Sequence, residues 1–172
     1  MTFNTPHATK RFINDTTGVI DLTGQNSTAR YATGPAAYTA ENKGEIRLAT
    51  SLSATSPNLG MYTDQPAITL ENSGTIAGGD KTVGIYGYGV NLQGTATTAV
   101  GNAGTAVYSQ GGNVNINGGT LTVGGEEAVA VYYLGNGGTI NNNAGTINIG
   151  NTSFGFVNVG SGATSLISNT PN

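Results

Sequence analysis

Asn72-Ser73-Gly74-Thr75-Ile76, Thr82-Val83-Gly84-Ile85-Tyr86-Gly87 and Val90-Asn91-Leu92 follow one another in one short stretch, and this trio decides the fold because it returns along the chain. Each segment is brief, is bounded by Gly, Asn, Ser or Thr, and alternates apolar with small or polar residues. That is the period-two signature of a strand with one buried face. Val83 and Ile85 are expected to face inward and Gly84 and Tyr86 outward, and Val129 and Val131 alternate with Ala130 and Tyr132 in the same way.

A glycine followed by a short strand recurs at Gly18-Val19-Ile20-Asp21-Leu22, Gly44-Glu45-Ile46-Arg47-Leu48, Gly74-Thr75-Ile76, Gly94-Thr95-Ala96, Gly119-Thr120-Leu121-Thr122-Val123 and Gly145-Thr146-Ile147-Asn148-Ile149. Asn42, Asn72, Asn117 and Asn143 stand two positions ahead of four of these glycines, where a short polar side chain bonds a turn backbone. A second segment follows as Thr28-Ala29-Arg30-Tyr31, Leu59-Gly60-Met61-Tyr62, Val83-Gly84-Ile85-Tyr86, Thr105-Ala106-Val107-Tyr108, Val129-Ala130-Val131-Tyr132 and Phe154-Gly155-Phe156-Val157. A third recurs as Ala36-Ala37-Tyr38, Ile68-Thr69-Leu70, Val90-Asn91-Leu92, Val114-Asn115-Ile116, Thr139-Ile140-Asn141 and Leu166-Ile167-Ser168. Three short strands per repeat predict an all-β chain, a right-handed parallel β-helix of about six coils of 20–30 residues. With strands about 4.8 Å apart, six coils make a rod roughly 29 Å long.

The solenoid is expected over residues 14–168. Residues 1–13, with Phe3 and Phe12, read as an N-terminal extension or cap, and 169–172 as a chain end too short to cap anything. Proline-bearing insertions around Thr33-Gly34-Pro35 and Ala54-Thr55-Ser56-Pro57 interrupt the repeat, since a central ladder does not accept proline. Open terminal strands invite end-to-end association.

Composition narrows the function classes. The 172 residues include 28 Gly and only 9% charged residues, with no Cys and no Trp. The six basic residues, Lys10, Arg11, Arg30, Lys43, Arg47 and Lys81, are scattered and make no patch, which argues against nucleic-acid binding. After Lys81 the only charges are Glu126 and Glu127, so solubility there rests on Asn, Thr, Ser, Gln and exposed backbone. A cysteine-free chain suits export through an oxidising compartment.

Asn72-Ser73-Gly74-Thr75-Ile76, Thr82-Val83-Gly84-Ile85-Tyr86-Gly87 and Asn143-Ala144-Gly145-Thr146-Ile147-Asn148-Ile149-Gly150 resemble the repeats of type V autotransporter passengers, especially the fusobacterial adhesins. The resemblance covers the chain from about Asn14 to Ser168. It implies a passenger exposed at the cell surface or secreted, and an outer-membrane barrel outside this chain as the only membrane contact. It further implies a receptor, protein or glycan, on host cells or other bacteria. It carries over no catalytic residue and no cofactor.

Read residue by residue, the chemistry is sparse. His7 is the only histidine, so a triad or a histidine metal site would have to be built on the N-terminal end. Glu126 and Glu127 are neighbours expected on opposite sides of a strand or in a solvated turn, the wrong placement for two acids flanking a sugar bond. Asp64, Glu71 and Asp80 would make a loose calcium site only if the coils gathered them. These readings point to a non-enzyme without metal or cofactor.

The leading candidate site is the column Tyr62, Tyr86, Tyr108 and Tyr132, beside a column of Gly60, Gly84, Ala106 and Ala130. With both facing out, a ring ladder next to a shallow small-residue strip suits a sugar ring or a flat protein surface. The plainer alternative is that the tyrosines stabilise the rod by stacking. A further column, Thr75, Thr95, Thr120 and Thr146, raises ice binding, although the coil lengths are too variable for a regular flat array. A passive spacer and a carbohydrate-active β-helix complete the alternatives.

Overall fold

A computed structural model describes residues 2–4, 12–135, 137–160 and 165–168, and side chains are described for residues 13–135 and 137–160. The chain is a parallel β-helix. Its first sheet stacks β1 (Thr2–Asn4), β4 (Thr28–Thr33), β7 (Leu59–Thr63), β10 (Val83–Gly87), β13 (Thr105–Ser109), β16 (Val129–Tyr133) and β19 (Phe154–Asn158). The second stacks β2 (Phe12–Asn14), β5 (Tyr38–Asn42), β8 (Ile68–Asn72), β11 (Gly89–Leu92), β14 (Val114–Ile116), β17 (Thr139–Asn142) and β20 (Ser165–Ser168). The third stacks β3 (Val19–Leu22), β6 (Glu45–Leu48), β9 (Thr75–Gly78), β12 (Thr97–Val100), β15 (Thr120–Val123) and β18 (Thr146–Ile149). From β3 to β20 the chain completes six three-stranded coils, preceded by β1 and β2 on the first two sheets. The pairings among these strands are parallel and join each strand to its equivalent one coil away, as Val90↔Val114 and Ile46↔Ile76 do.

The core runs along the axis. Ile46, Ile76 and Leu121 from the third sheet, Ile68, Leu70, Val90, Ile116 and Ile140 from the second, and Met61, Ile85, Val107 and Val131 from the first are at most 2% exposed. β-branched residues dominate because they pack well on a pleated surface.

The interior changes character along the rod. Register places Arg30, Met61, Ile85, Val107, Val131 and Phe156 in one inward column. Arg30 is 1% exposed, burial lowers its pKa to about 10, and its Nη1 donates to the Glu41 carbonyl. Glu41 is itself paired with Lys43 at 3.3 Å. A second inward column begins with Asn14, Asn42 and Asn72, joined by Nδ2-to-Oδ1 bonds of 2.8 and 2.9 Å. It continues as Leu92 and Ile116, so the central coils are apolar where the early ones carry amides.

Three local expectations are corrected. Gly94-Thr95-Ala96 does not open a strand: Gly94 has φ +58°, the Ala96 amide closes a turn on the Gln93 carbonyl, and pairing starts at Thr97. Ala36 and Ala37 lie in the turn after Pro35, and β5 starts at Tyr38 opposite Ile68. Asn117 and Asn143 do not share the setting of Asn42 and Asn72. They are exposed and bond to each other at 2.7 Å, because Ile116 and Asn142 take the column position of Asn42 and Asn72 in their coils.

Candidate functional site

The first sheet carries the tyrosine column. Strict coil-to-coil register sets Tyr31 opposite Tyr62, Tyr62 opposite Tyr86, Tyr86 opposite Tyr108 and Tyr108 opposite Tyr132. Strand spacing alone brings equivalent rings within stacking range. Ring centroids are 5.0, 5.4, 4.4 and 5.0 Å apart in that order, with interplanar angles of 28°, 56°, 5° and 16°. The ladder therefore contains the four tyrosines expected and one more. Tyr31 was visible in the repeat, since Arg30-Tyr31 aligns with Met61-Tyr62, but its coil carries a charged residue where the others have an apolar one.

The rings are half-buried. Where neighbours lie nearly parallel, each covers the face of the next and leaves its edge and hydroxyl to solvent. A sugar ring stacking on a tyrosine face is thus excluded between Tyr86, Tyr108 and Tyr132. What the column offers is a row of hydroxyl-bearing edges, suited to hydrogen bonding along the rod axis. The stack opens between Tyr62 and Tyr86, where the rings tilt by 56°. At the N-terminal end of the column the Tyr31 hydroxyl donates to Asp64 at 2.9 Å.

Burial raises the pKa of Tyr62, Tyr86 and Tyr108 above the ordinary phenol value. The neighbouring phenols add to the rise, Tyr31 and Tyr88 at Tyr62, Tyr62 and Tyr88 at Tyr86, and Tyr86 and Tyr132 at Tyr108; at Tyr62, Asp64 adds as well. The interaction between the neighbouring Tyr86 and Tyr108 phenols lowers the first and raises the second.

The expected outward strip of small residues is overturned. Ala106 and Ala130 are fully buried, and a Cβ on Gly84 would lie 2.6 Å from the Thr98 side chain and 2.6 Å from the Ala106 carbonyl oxygen. The strict alternation fails at one place per coil: Gly84 and Ile85 both face inward, and alternation resumes with Tyr86 out. Small residues occur there because the third sheet approaches closely, with Ile76 against Gly60 and Thr98 against Gly84. The ladder's neighbours along its strands are instead Leu59 and Val129, half-buried, and the exposed Phe154.

The remaining candidates disperse. His7 lies outside the described residues. Glu126 and Glu127 are exposed in a turn, with Glu127 at φ +55° and the Glu126 amide bonded to Asn102 Oδ1. Asp64 follows β7, Glu71 lies within β8 and Asp80 precedes β10, and among the described residues no group of three metal-binding side chains forms. The threonine column is Thr75, Thr97, Thr120 and Thr146, with Thr97 in the place expected for Thr95. Its Thr97 hydroxyl donates to Thr75 at 3.1 Å, and toward the N-terminus the column gives way to Glu45 and Val19.

No family model, curated protein or solved structure matches this chain.

Proposed function

We propose that the chain is a non-catalytic segment of a bacterial cell-surface autotransporter adhesin, a β-helical rod whose tyrosine face engages a protein or glycan receptor on host cells or other bacteria. The observation that carries this reading is the registered ladder from Tyr31 to Tyr132, which presents phenol edges along one face over five successive coils. Tyrosine supplies a large contact area and a hydrogen-bonding tip at low side-chain entropy cost, which is why it is enriched at interfaces. In this reading the passenger stands outside the cell and a barrel beyond this chain anchors it.

One observation favours a second reading, a spacer that carries a binding head elsewhere: the rings satisfy one another's faces and so already have a structural task. Binding of the labelled protein to epithelial cells and to a glycan array across a concentration series separates the two. Saturable binding supports the adhesive segment, and a linear, non-saturable signal on both supports the spacer.

A further inference from the structure

The closest ring pair in the ladder is Tyr86 and Tyr108, 4.4 Å apart and 5° from parallel. Their positions are locked from both sides, because Ile85 pairs with Val107 and Gly87 with Ser109 in the same ladder. Both side chains are half-buried, so part of each stays open to solvent.

Redox competition favours these rings. The chain has no Cys and no Trp, the side chains that most readily intercept a one-electron oxidant, and of its two methionines Met61 is fully buried. An electron vacancy created anywhere on the ladder also has neighbours at 4.4 to 5.4 Å across which to move. The two adjacent rings that radical coupling needs come closest at Tyr86 and Tyr108.

We propose that Tyr86 and Tyr108 form an oxidative cross-linking site that joins two successive coils through a carbon–carbon bond. The co-reactant is a one-electron oxidant of the peroxidase class acting with hydrogen peroxide. Each phenol loses one electron and one proton, and the two phenoxyl radicals couple at the Cε carbons beside their hydroxyls. The hydrogens on the coupled carbons then shift to the oxygens and restore both aromatic rings. The peroxide takes up the two electrons and two protons and leaves as two water molecules. The product is a dityrosine, two hydrogens lighter than the starting chain, which staples β10 to β13.

The test treats the folded protein with peroxidase and hydrogen peroxide, beside a urea-unfolded sample and the Tyr108→Phe, Tyr86→Phe and Tyr62→Phe variants. Phenylalanine keeps the ring and removes the phenol, and circular dichroism checks that the β structure is retained. Dityrosine fluorescence in the monomer, loss of two hydrogens, and a cross-link mapped to Tyr86–Tyr108 after pepsin cleavage are expected. The yield should fall at least tenfold in Tyr108→Phe, in Tyr86→Phe and on unfolding, and hold in Tyr62→Phe. Cross-links mapped to another pair, dimers without an intramolecular product, undiminished yield in folded Tyr108→Phe, or no dityrosine at all would overturn the proposal.

Discussion

On the first sheet Tyr62, Tyr86, Tyr108 and Tyr132 stand one above another with ring centroids 4.4 to 5.4 Å apart, whereas on the third sheet Thr75, Thr97, Thr120 and Thr146 occupy an equally registered column. The same coil-to-coil pairing builds both. Side-chain size makes the difference: a phenol ring fills the gap to the next strand and covers it, and a threonine does not. The backbone ladder and the core hold both faces; the tyrosine face adds ring-to-ring contacts along the column, and the threonine face adds a smaller side-chain contact, the Thr97–Thr75 hydroxyl bond. The tyrosine face also rests on a tighter foundation, the inward Gly60, Gly84, Ala106 and Ala130.

The sharpest way to break this comparison is from below. Gly84→Val places a side chain where the Ala106 carbonyl and Thr98 leave no room, and overpacking of this kind costs about 3 kcal/mol or more. Urea denaturation should show the loss, together with weakened near-ultraviolet dichroism from disturbed tyrosines. Next, Tyr108→Ala removes two stacked contacts and part of a buried ring, for about 2 kcal/mol in the same assay. Thr97→Val on the opposite face deletes the hydroxyl that bonds Thr75 and should cost no more than about 1 kcal/mol. If Thr97→Val matched Tyr108→Ala, the distinction between the faces would fail.

Alkaline pH gives the finest contrast, because the tyrosine column titrates there and the threonine column does not. Tyr62, Tyr86 and Tyr108 have raised pKa values in the folded state, so the folded chain holds these protons more tightly than the unfolded one. Their contribution to stability is fully present below the unfolded phenol pKa of about 10 and is lost as pH rises through the folded values. Phenolate absorbance of the folded protein should lag behind that of a urea-unfolded sample, and Tyr108→Phe should narrow the lag.

The coil, its three strands and four of the five ladder tyrosines were legible in sequence, because a parallel solenoid writes its register directly as a repeat. What misled were the places where one residue of slack hides in a turn. Gly94 adopts a left-handed conformation and delays its strand to Thr97, which a glycine-anchored alignment cannot see. Elsewhere the cause lies inside a strand: the inward pair Gly84 and Ile85 breaks strict alternation within β10, so period-two reading turned the small-residue column to the wrong side. The buried Arg30 was equally hidden, since a lone charge in an apolar column looks like a surface residue until the register fixes it beneath the Glu41 carbonyl.

The central claim, that the tyrosine edges form the binding face, is tested most directly by comparing three proteins in one epithelial-cell binding series: native, Tyr86→Ser/Tyr108→Ser/Tyr132→Ser, and Thr75→Ala/Thr97→Ala/Thr120→Ala, each confirmed folded by circular dichroism. Saturable binding that is retained by the threonine variant and lost by the tyrosine variant is the predicted result. Equal binding by all three would contradict it.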